Sequence, residues 1–131
     1  PWSDGVVTRR KLDAALARLK ALRSDPRPKL VICHHPLLAE DDDRKNPTIR
    51  GDHAFAELAA AGASAVLSGH VHWPFDQLRS RRNHAMRIIG AGTLSTRIRK
   101  GAPPSFNVVR IDRSGTITVE HRNFRRAAGE T

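Results

Sequence analysis

The sequence is poor in several features that define specialised classes of protein. Its 131 residues include one cysteine and no tyrosine, and aromatic residues make up only 5% of the chain. A single cysteine excludes an intrachain disulfide, and so few aromatic rings argue against a platform on which successive bases stack. No apolar run approaches the roughly 20 residues that a membrane helix needs. The first residues lack the basic start and apolar stretch of a secretory signal, so we expect a cytoplasmic protein without membrane association.

Basic residues outnumber acidic ones in this chain. There are 23 Lys and Arg against 13 Asp and Glu, which gives a formal net charge of +10. Such an excess favours an anionic partner, so a basic module that binds nucleic acid is one hypothesis. The basic residues are spread along the chain rather than concentrated in one run, and a solvated basic surface is therefore our default interpretation.

The apolar pattern predicts an α/β fold. Leucine and alanine recur at helical spacing after Thr8, which predicts a first helix with Thr8 as its N-cap. Apolar runs at residues 29–34 and 64–68 flank a second predicted helix, with Asp52 as N-cap and Gly62 as the left-handed stop. The order strand, loop, helix, strand indicates a parallel βαβ unit.

The remaining chain is predicted to add strands to this unit. Residues 79–83 have the composition of a polar connection, which leads into a short strand at 86–89. Residues 106–111 and 116–121 flank a tight turn and predict a hairpin. The first strand, at 29–34, shows no polar and apolar alternation, which predicts burial of both of its faces.

Two pairs of histidines follow the two apolar runs. His34 and His35 come directly after the first run, and His70 and His72 come after Gly69 at the end of the second. Open α/β sheets bind their ligands at the carboxyl ends of parallel strands, and neutral imidazole is a preferred ligand of first-row divalent metals. Because glycine tolerates a sharp bend, we expect Gly69 to let His70 and His72 flank one centre or reach two neighbouring ions.

Other candidate ligands have weaker patterns. The acidic run at residues 40–43 lacks the ligand spacing and the glycine of a calcium loop, so a solvated face is the favoured interpretation. His53, His84 and His121 have no companion ligand nearby in the sequence and are predicted to be ordinary histidines.

The residues around the paired histidines resemble a known family. Residues 31–36 and 67–72 are similar to the last two signature motifs of the calcineurin-like metallophosphoesterases, and residues 90–95 resemble a segment of bacterial, phosphodiesterase-like members. The resemblance runs from about Lys29 to Glu120. It implies half of a four-layer αββα sandwich, with a mixed sheet, flanking helices and a C-terminal hairpin.

By this resemblance the protein is a metal-dependent phosphoester hydrolase with a binuclear centre. The resemblance implies that His34 and His70 bind one ion, that His72 binds the other, and that His35 has a catalytic role on the substrate side. Which of the two adjacent histidines is the ligand stays open. Two divalent ions (Mn, Fe or Zn) would activate a bridging hydroxide for attack on phosphorus. The implied substrates are small phosphoesters or nucleotides, with diesters slightly favoured over monoesters.

The resemblance covers only the later motifs of the family. Its members also carry an earlier Asp-x-His, a Gly-Asp-x-x-Asp and a Gly-Asn-His, which supply the bridging Asp and other ligands and have no counterpart here. Without a bridging carboxylate, nothing offsets the repulsion between two neighbouring cations. We therefore expect the single domain at residues 1–131 to be a C-terminal half, inactive in isolation and prone to self-association through an exposed sheet edge. The alternative is a module without catalysis of its own, either basic and nucleic-acid-binding or completed by a partner.

Overall fold

A computed structural model describes residues 4–95 and 101–124. Within these ranges the chain forms a mixed α/β arrangement of two helices and eight strands, as the sequence predicts at the level of fold class. The elements are β1 (Gly5–Val6), α1 (Arg9–Ala21), β2 (Leu30–Ile32), β3 (Thr48–Ile49), α2 (Gly51–Ala60), β4 (Ala65–Ser68), β5 (Phe75–Arg81), β6 (His84–Gly90), β7 (Ser105–Ile111) and β8 (Ile117–Asn123). Neither of the two helices is long and apolar enough to cross a membrane.

Helix α1 begins where the sequence predicts. Thr8 has an extended backbone, and its hydroxyl accepts a hydrogen bond of 3.2 Å from the amide of Lys11, which would otherwise lack an intrahelical partner. Leu12 and Leu19 are buried on the inner face of the helix. The N-cap prediction is confirmed.

Helix α2 is also present, but its predicted start is wrong. The residue before the helix is Arg50, which has a left-handed φ of 65° and makes no side-chain cap. Asp52 lies inside the first turn, where a carboxylate still suits the positive end of the helix dipole. Gly51 is the first residue of the helix, and its Cα packs against the backbone of Leu37. This contact leaves no room for a Cβ, so the position requires glycine. Gly62, with a φ of 97°, follows the helix as predicted.

The main sheet has four strands in the order β2-β4-β6-β5. Strands β2, β4 and β6 are parallel, and β5 is antiparallel to β6. The predicted βαβ unit is therefore confirmed as β2, α2 and β4. Side chains of α1, α2, β4 and β6 form one buried cluster against a face of this sheet, including Leu12, Phe55, Leu58, Val66 and Ile88.

The prediction that β2 is buried on both faces is wrong. Ile32 is 79% exposed. In the same row of the sheet it pairs with Leu67 of β4, which pairs with Ile89 of β6, and Ile89 is only 2% exposed. The β7–β8 hairpin lies against β6, where the Asn107 side-chain amide donates a hydrogen bond of 3.0 Å to the Gly90 carbonyl. Strand β2 is an edge strand of the sheet, and the side chain of its Ile32 is left exposed.

The predicted polar connection at residues 79–83 is instead part of a β-hairpin. Strand β5 runs to Arg81, and a two-residue turn at Arg82 and Asn83 leads into β6. Both turn residues have positive φ, 51° and 64°, as two-residue hairpin turns require. The charged residues of β5 are accommodated because Arg81 pairs with Asp52 at 2.8 Å. The C-terminal hairpin of β7 and β8 is confirmed.

Candidate metal centre

Three imidazole rings converge beyond the carboxyl ends of β2 and β4. One ring nitrogen each from His34, His35 and His70 lies within 4.8 Å of the other two. The ring centroids are 4.0 Å apart for His35 and His70, 4.9 Å for His34 and His35, and 5.2 Å for His34 and His70. We call these three residues the histidine triad. Three neutral imidazoles at this spacing are a donor set that fits one first-row divalent ion.

The backbone brings the two ends of this site together. Pairing between β2 and β4 continues past the strands, because the Cys33 amide donates to the Leu67 carbonyl and the Gly69 amide donates to the His34 carbonyl, both at 3.0 Å. The chain segments that carry His34 and His70 are therefore joined directly by a hydrogen bond. This proximity is as predicted from the sequence, because the two histidine pairs follow parallel strands whose carboxyl ends lie at the same edge of the sheet.

The bend after β4 has a different origin from the one expected. An added Cβ at Gly69 would meet only the His34 carbonyl oxygen, at an ordinary 3.9 Å, so the prediction that a side chain would obstruct the bend there is wrong. The left-handed residues are His70 and His72 themselves, with φ of 67° and 65°. Such a conformation costs a non-glycine residue about 1–3 kcal/mol and is typical of functional sites.

His35 belongs to the triad and packs against a residue that sequence reasoning missed. An added Cβ at Gly5 would lie 2.6 Å from the Cγ and 2.7 Å from the Cβ of His35. Gly5 is held in β1, where its amide donates a hydrogen bond of 2.8 Å to the Pro47 carbonyl. No pattern in the sequence marks this glycine, because its role depends on a contact with a residue thirty positions later.

His72 is not part of the triad. It is half-buried, and its ring nitrogens are not among those that converge. The structure thus brings together His34 and His70, which the resemblance assigns to one ion, and adds His35 to them. Either His34 or His35 is placed to act as a ligand beside His70, and the role of His72 at a second ion stays a prediction.

Cys33 is close in sequence to the triad but is unsuited to be a ligand. Burial raises the pKa of its thiol to about 11, and its Sγ lies 3.1 Å from the His35 carbonyl oxygen, to which it donates. Cys33 is only partly buried, and its Sγ is not among the ligand atoms that converge in the triad.

The acidic run at residues 40–43 holds neighbouring segments rather than joining the triad. Glu40 accepts a hydrogen bond of 2.9 Å from the indole nitrogen of Trp73. Asp42 pairs with Arg79 and, at 2.7 Å, with Arg81, and the hydrogen bond from Arg81 lowers the pKa of the Asp42 carboxyl. Within residues 4–95 and 101–124, the metal-ligating cluster contains imidazoles only.

Comparison with known proteins adds no identification. Neither the protein-family models nor the curated proteins contain a match to this chain.

Proposed function

We propose that the protein is a metal-dependent phosphoester hydrolase and that this chain is the C-terminal half of its catalytic domain. The observation that carries the proposal is the convergence of His34, His35 and His70 at the ends of two parallel strands. These are the positions at which the sequence resembles the last two motifs of the calcineurin-like metallophosphoesterases. The finer fold proposed with it is one half of a four-layer αββα sandwich.

The uncovered side of β2 agrees with an incomplete sandwich. Ile32 exposes 79% of its surface next to the triad, and Val6 and Ile49, on the short β1–β3 pair, are 57% and 49% exposed. Large apolar side chains near a ligand site favour a covering partner. We infer that the second sheet of the sandwich, or a second copy of the chain, covers this side.

The triad residues supply the contacts that such a reaction needs from this half. His34 and His70 would hold one divalent ion (Mn, Fe or Zn), with His35 as a third ligand or as the group that faces the substrate. A bound divalent ion supplies positive charge that polarises a phosphoryl oxygen and acidifies water. In the overall hydrolysis, the water oxygen forms a bond to phosphorus, the ester P–O bond breaks, and a proton passes to the leaving alcohol.

A second ion, bound with the help of His72, requires a carboxylate between the two cations. Two divalent ions a few ångströms apart repel strongly unless a bridging anion offsets their charge. In the described part of the chain no carboxylate joins the triad. We therefore propose that the bridging group comes from the other half of the domain, and that the isolated chain binds one ion and has little hydrolytic activity.

The first experiment measures bound metal per folded chain. The protein is loaded with Zn²⁺ or Mn²⁺, freed of excess metal and analysed by elemental analysis, for the unaltered chain and for His34→Ala, His35→Ala and His70→Ala. His84→Ala is the matched control, because His84 is exposed at the start of β6. We expect one bound ion per unaltered chain and the same content in His84→Ala. His34→Ala and His70→Ala should retain little metal after the excess is removed, because the loss of a ligand lowers the affinity at least about tenfold. Equal metal content in all variants would remove the basis of the proposal.

The second experiment tests the reaction itself. Hydrolysis of bis(p-nitrophenyl) phosphate and of p-nitrophenyl phosphate is followed for the metal-loaded 131-residue chain and for the protein extended upstream in its gene. We expect turnover only in the extended protein, and its loss in His34→Ala. An extended protein that binds metal but cleaves neither ester would refute the proposed reaction, and an active isolated chain would refute the proposed half-site.

A second candidate function is binding of nucleic acid through helix α1. Several cations of the strands form ion pairs, such as Arg81, Arg87 and Arg110. Within the described residues, the exposed cations of helix α1 and the turn that follows it form no ion pair: Arg9, Arg10, Lys11, Arg18, Lys20 and Arg23. Phosphate contacts from such a face would weaken steeply with salt. Fluorescence anisotropy with a DNA duplex at increasing salt, compared between the unaltered chain and Arg9→Ala/Arg10→Ala, tests this candidate without metal.

A further inference from the structure

An apolar cavity of about 200 Å³ lies next to the histidine triad. Its walls come from residues 36–47 after β2, residues 70–75 after β4 and Asp4, which precedes β1. His70 belongs both to the triad and to the cavity lining. The apolar part of the lining consists of Pro36, Leu38, Ala39, Pro47, Val71, Trp73 and Phe75.

The walls of this cavity are fixed by specific contacts. Leu38 and Val71 are 0% and 6% exposed, so both are held by the core. The Trp73 indole is anchored by its hydrogen bond of 2.9 Å to Glu40. The Phe75 ring lies against the Cα of Gly90, where a Cβ would collide with it. A ligand that enters this cavity therefore meets a preformed surface with two aromatic rings.

The size of the cavity limits what it can hold. An apolar cavity of about 150 Å³ is sufficient to bind benzene, whereas pockets for drug-sized ligands are about 300–1,000 Å³. A volume of about 200 Å³ thus suits one aromatic ring with a small substituent. Aromatic ligands also gain attraction from offset or edge-on contacts with rings such as Trp73 and Phe75, beyond the burial of area.

We propose that this cavity binds the single aromatic ring of a phosphoester substrate, so that the substrate class is an aryl or closely related ring-bearing ester. The inference rests on the proposed function, which puts the phosphoryl group at the triad. Because His70 lines both places, a phosphoryl group at the triad directs its ester substituent towards the cavity. The lining also holds two carboxylates and two cations: Lys45 pairs with Asp4 at 2.7 Å, Glu40 accepts from Trp73, and Arg44 is the second cation.

The test compares phenylphosphonate with methylphosphonate, two uncleavable anions that differ in the ring. Binding to the Zn²⁺-loaded chain is followed by the NMR peak of the Trp73 indole N–H, assigned by comparison with Trp2→Phe. Burial of a phenyl ring predicts that phenylphosphonate binds at least about 10-fold more tightly. Phenol, which has no phosphoryl group, is expected to shift the same peak in both metal-free and loaded protein.

Two variants keep the test independent of a single folding defect. Trp73→Leu removes one aromatic wall, and because it also removes the indole peak, phosphonate binding to this variant is followed by ligand-observed NMR. Val71→Phe fills the cavity. Each is expected to reduce the preference for phenylphosphonate to less than about threefold, whereas Leu78→Ala, on an exposed part of β5, leaves it unchanged. Retention of the full preference in both variants would overturn the inference.

The outcomes separate this inference from the function on which it rests. Equal affinity for the two phosphonates, lost in His34→Ala, would overturn the ring site and leave the metal-dependent phosphoryl site standing. Binding of phenol together with no metal-dependent binding of either phosphonate would instead overturn the proposed function, and with it the assignment of the ring to an ester.

Discussion

Gly5→Ala is expected to disturb the metal site by pushing against His35, whose Nδ1 would also lie 3.0 Å from the new Cβ. The new Cβ would lie 2.6 Å from His35 Cγ and 2.7 Å from His35 Cβ. Rotation of the His35 ring cannot relieve the second contact, because the Cβ is attached directly to the backbone. The segment that carries His35 therefore has to move away from β1, and the ring moves with it relative to His34 and His70.

The size of this effect follows from the geometry. Ordinary contact begins at 3.4 Å, so the two residues must separate by about 0.8 Å. Overpacking of this kind typically costs about 1–3 kcal/mol of stability. Binding sites need their groups held within about 0.5 Å, and loss of the residues that orient metal ligands typically lowers affinity about 10–100-fold. We expect Gly5→Ala to weaken Zn²⁺ binding by an amount in that range.

The assay is competition for Zn²⁺ against a chromogenic chelator, with the fold checked by circular dichroism and urea unfolding. The matched control is Gly69→Ala, one residue before His70, because its new Cβ has only one neighbour at 3.9 Å. We expect the control to retain wild-type affinity. Wild-type affinity in Gly5→Ala, or an equal loss in Gly69→Ala, would show that packing of His35 on Gly5 does not position the triad.

Three further predictions concern the surroundings of the site and the hairpins. Asn83 has a left-handed φ of 64°, which glycine adopts more easily than alanine. The unfolding free energy of Asn83→Ala, measured in urea, should therefore be about 1 kcal/mol lower than that of Asn83→Gly, and equal stabilities would contradict this. The pKa of Cys33 is raised from 9.0 to about 11, so at pH 8 the native thiol should react with a disulfide reagent about 100-fold more slowly than in the unfolded chain, and equal rates would contradict its burial. The pKa of Glu120 is lowered to about 2, from 4.5, mainly by Arg122 and then by Arg110. This pairing stabilises the fold above pH 4.5 and is lost as the pH falls towards 2, so the difference in urea midpoint between wild type and Glu120→Gln should shrink over that range.

The sequence is sufficient to predict the elements whose signals are local. Thr8 predicts the start of α1 because capping depends on one hydroxyl and an amide three residues away. The β7–β8 hairpin is predicted because alternating residues flank a tight turn. The proximity of His34 and His70 is also predictable, since it follows from the rule that parallel strands present their carboxyl ends at one edge.

Several of the errors concern interactions between distant parts of the chain. Arg79 and Arg81 make β5 look like a polar connection, because their partner Asp42 lies about forty residues earlier. Ile32 looks like a core residue, because the sequence does not reveal where the cover of the sheet stops. The contact of Gly5 with His35 is likewise a matter of tertiary packing, because the two residues are thirty positions apart.

The loop after β2 links the two proposed parts of the site. It begins immediately after His34 and His35, and it continues through Leu38 into the wall of the apolar cavity. Contacts with β5 hold this loop, because Arg79 donates to the Ala39 carbonyl at 2.7 Å and also pairs with Asp42. The acidic run therefore has a positioning role in this structure: it fixes the cavity wall at a set distance from the triad. In the proposed site the loop adjoins two triad residues and forms one wall of the cavity, while Trp73 and Phe75 come from the segment after β4. A substrate of the proposed kind would have to fit its phosphoryl group at the triad and its ring in the cavity at the same time, because this restrained loop links the two places.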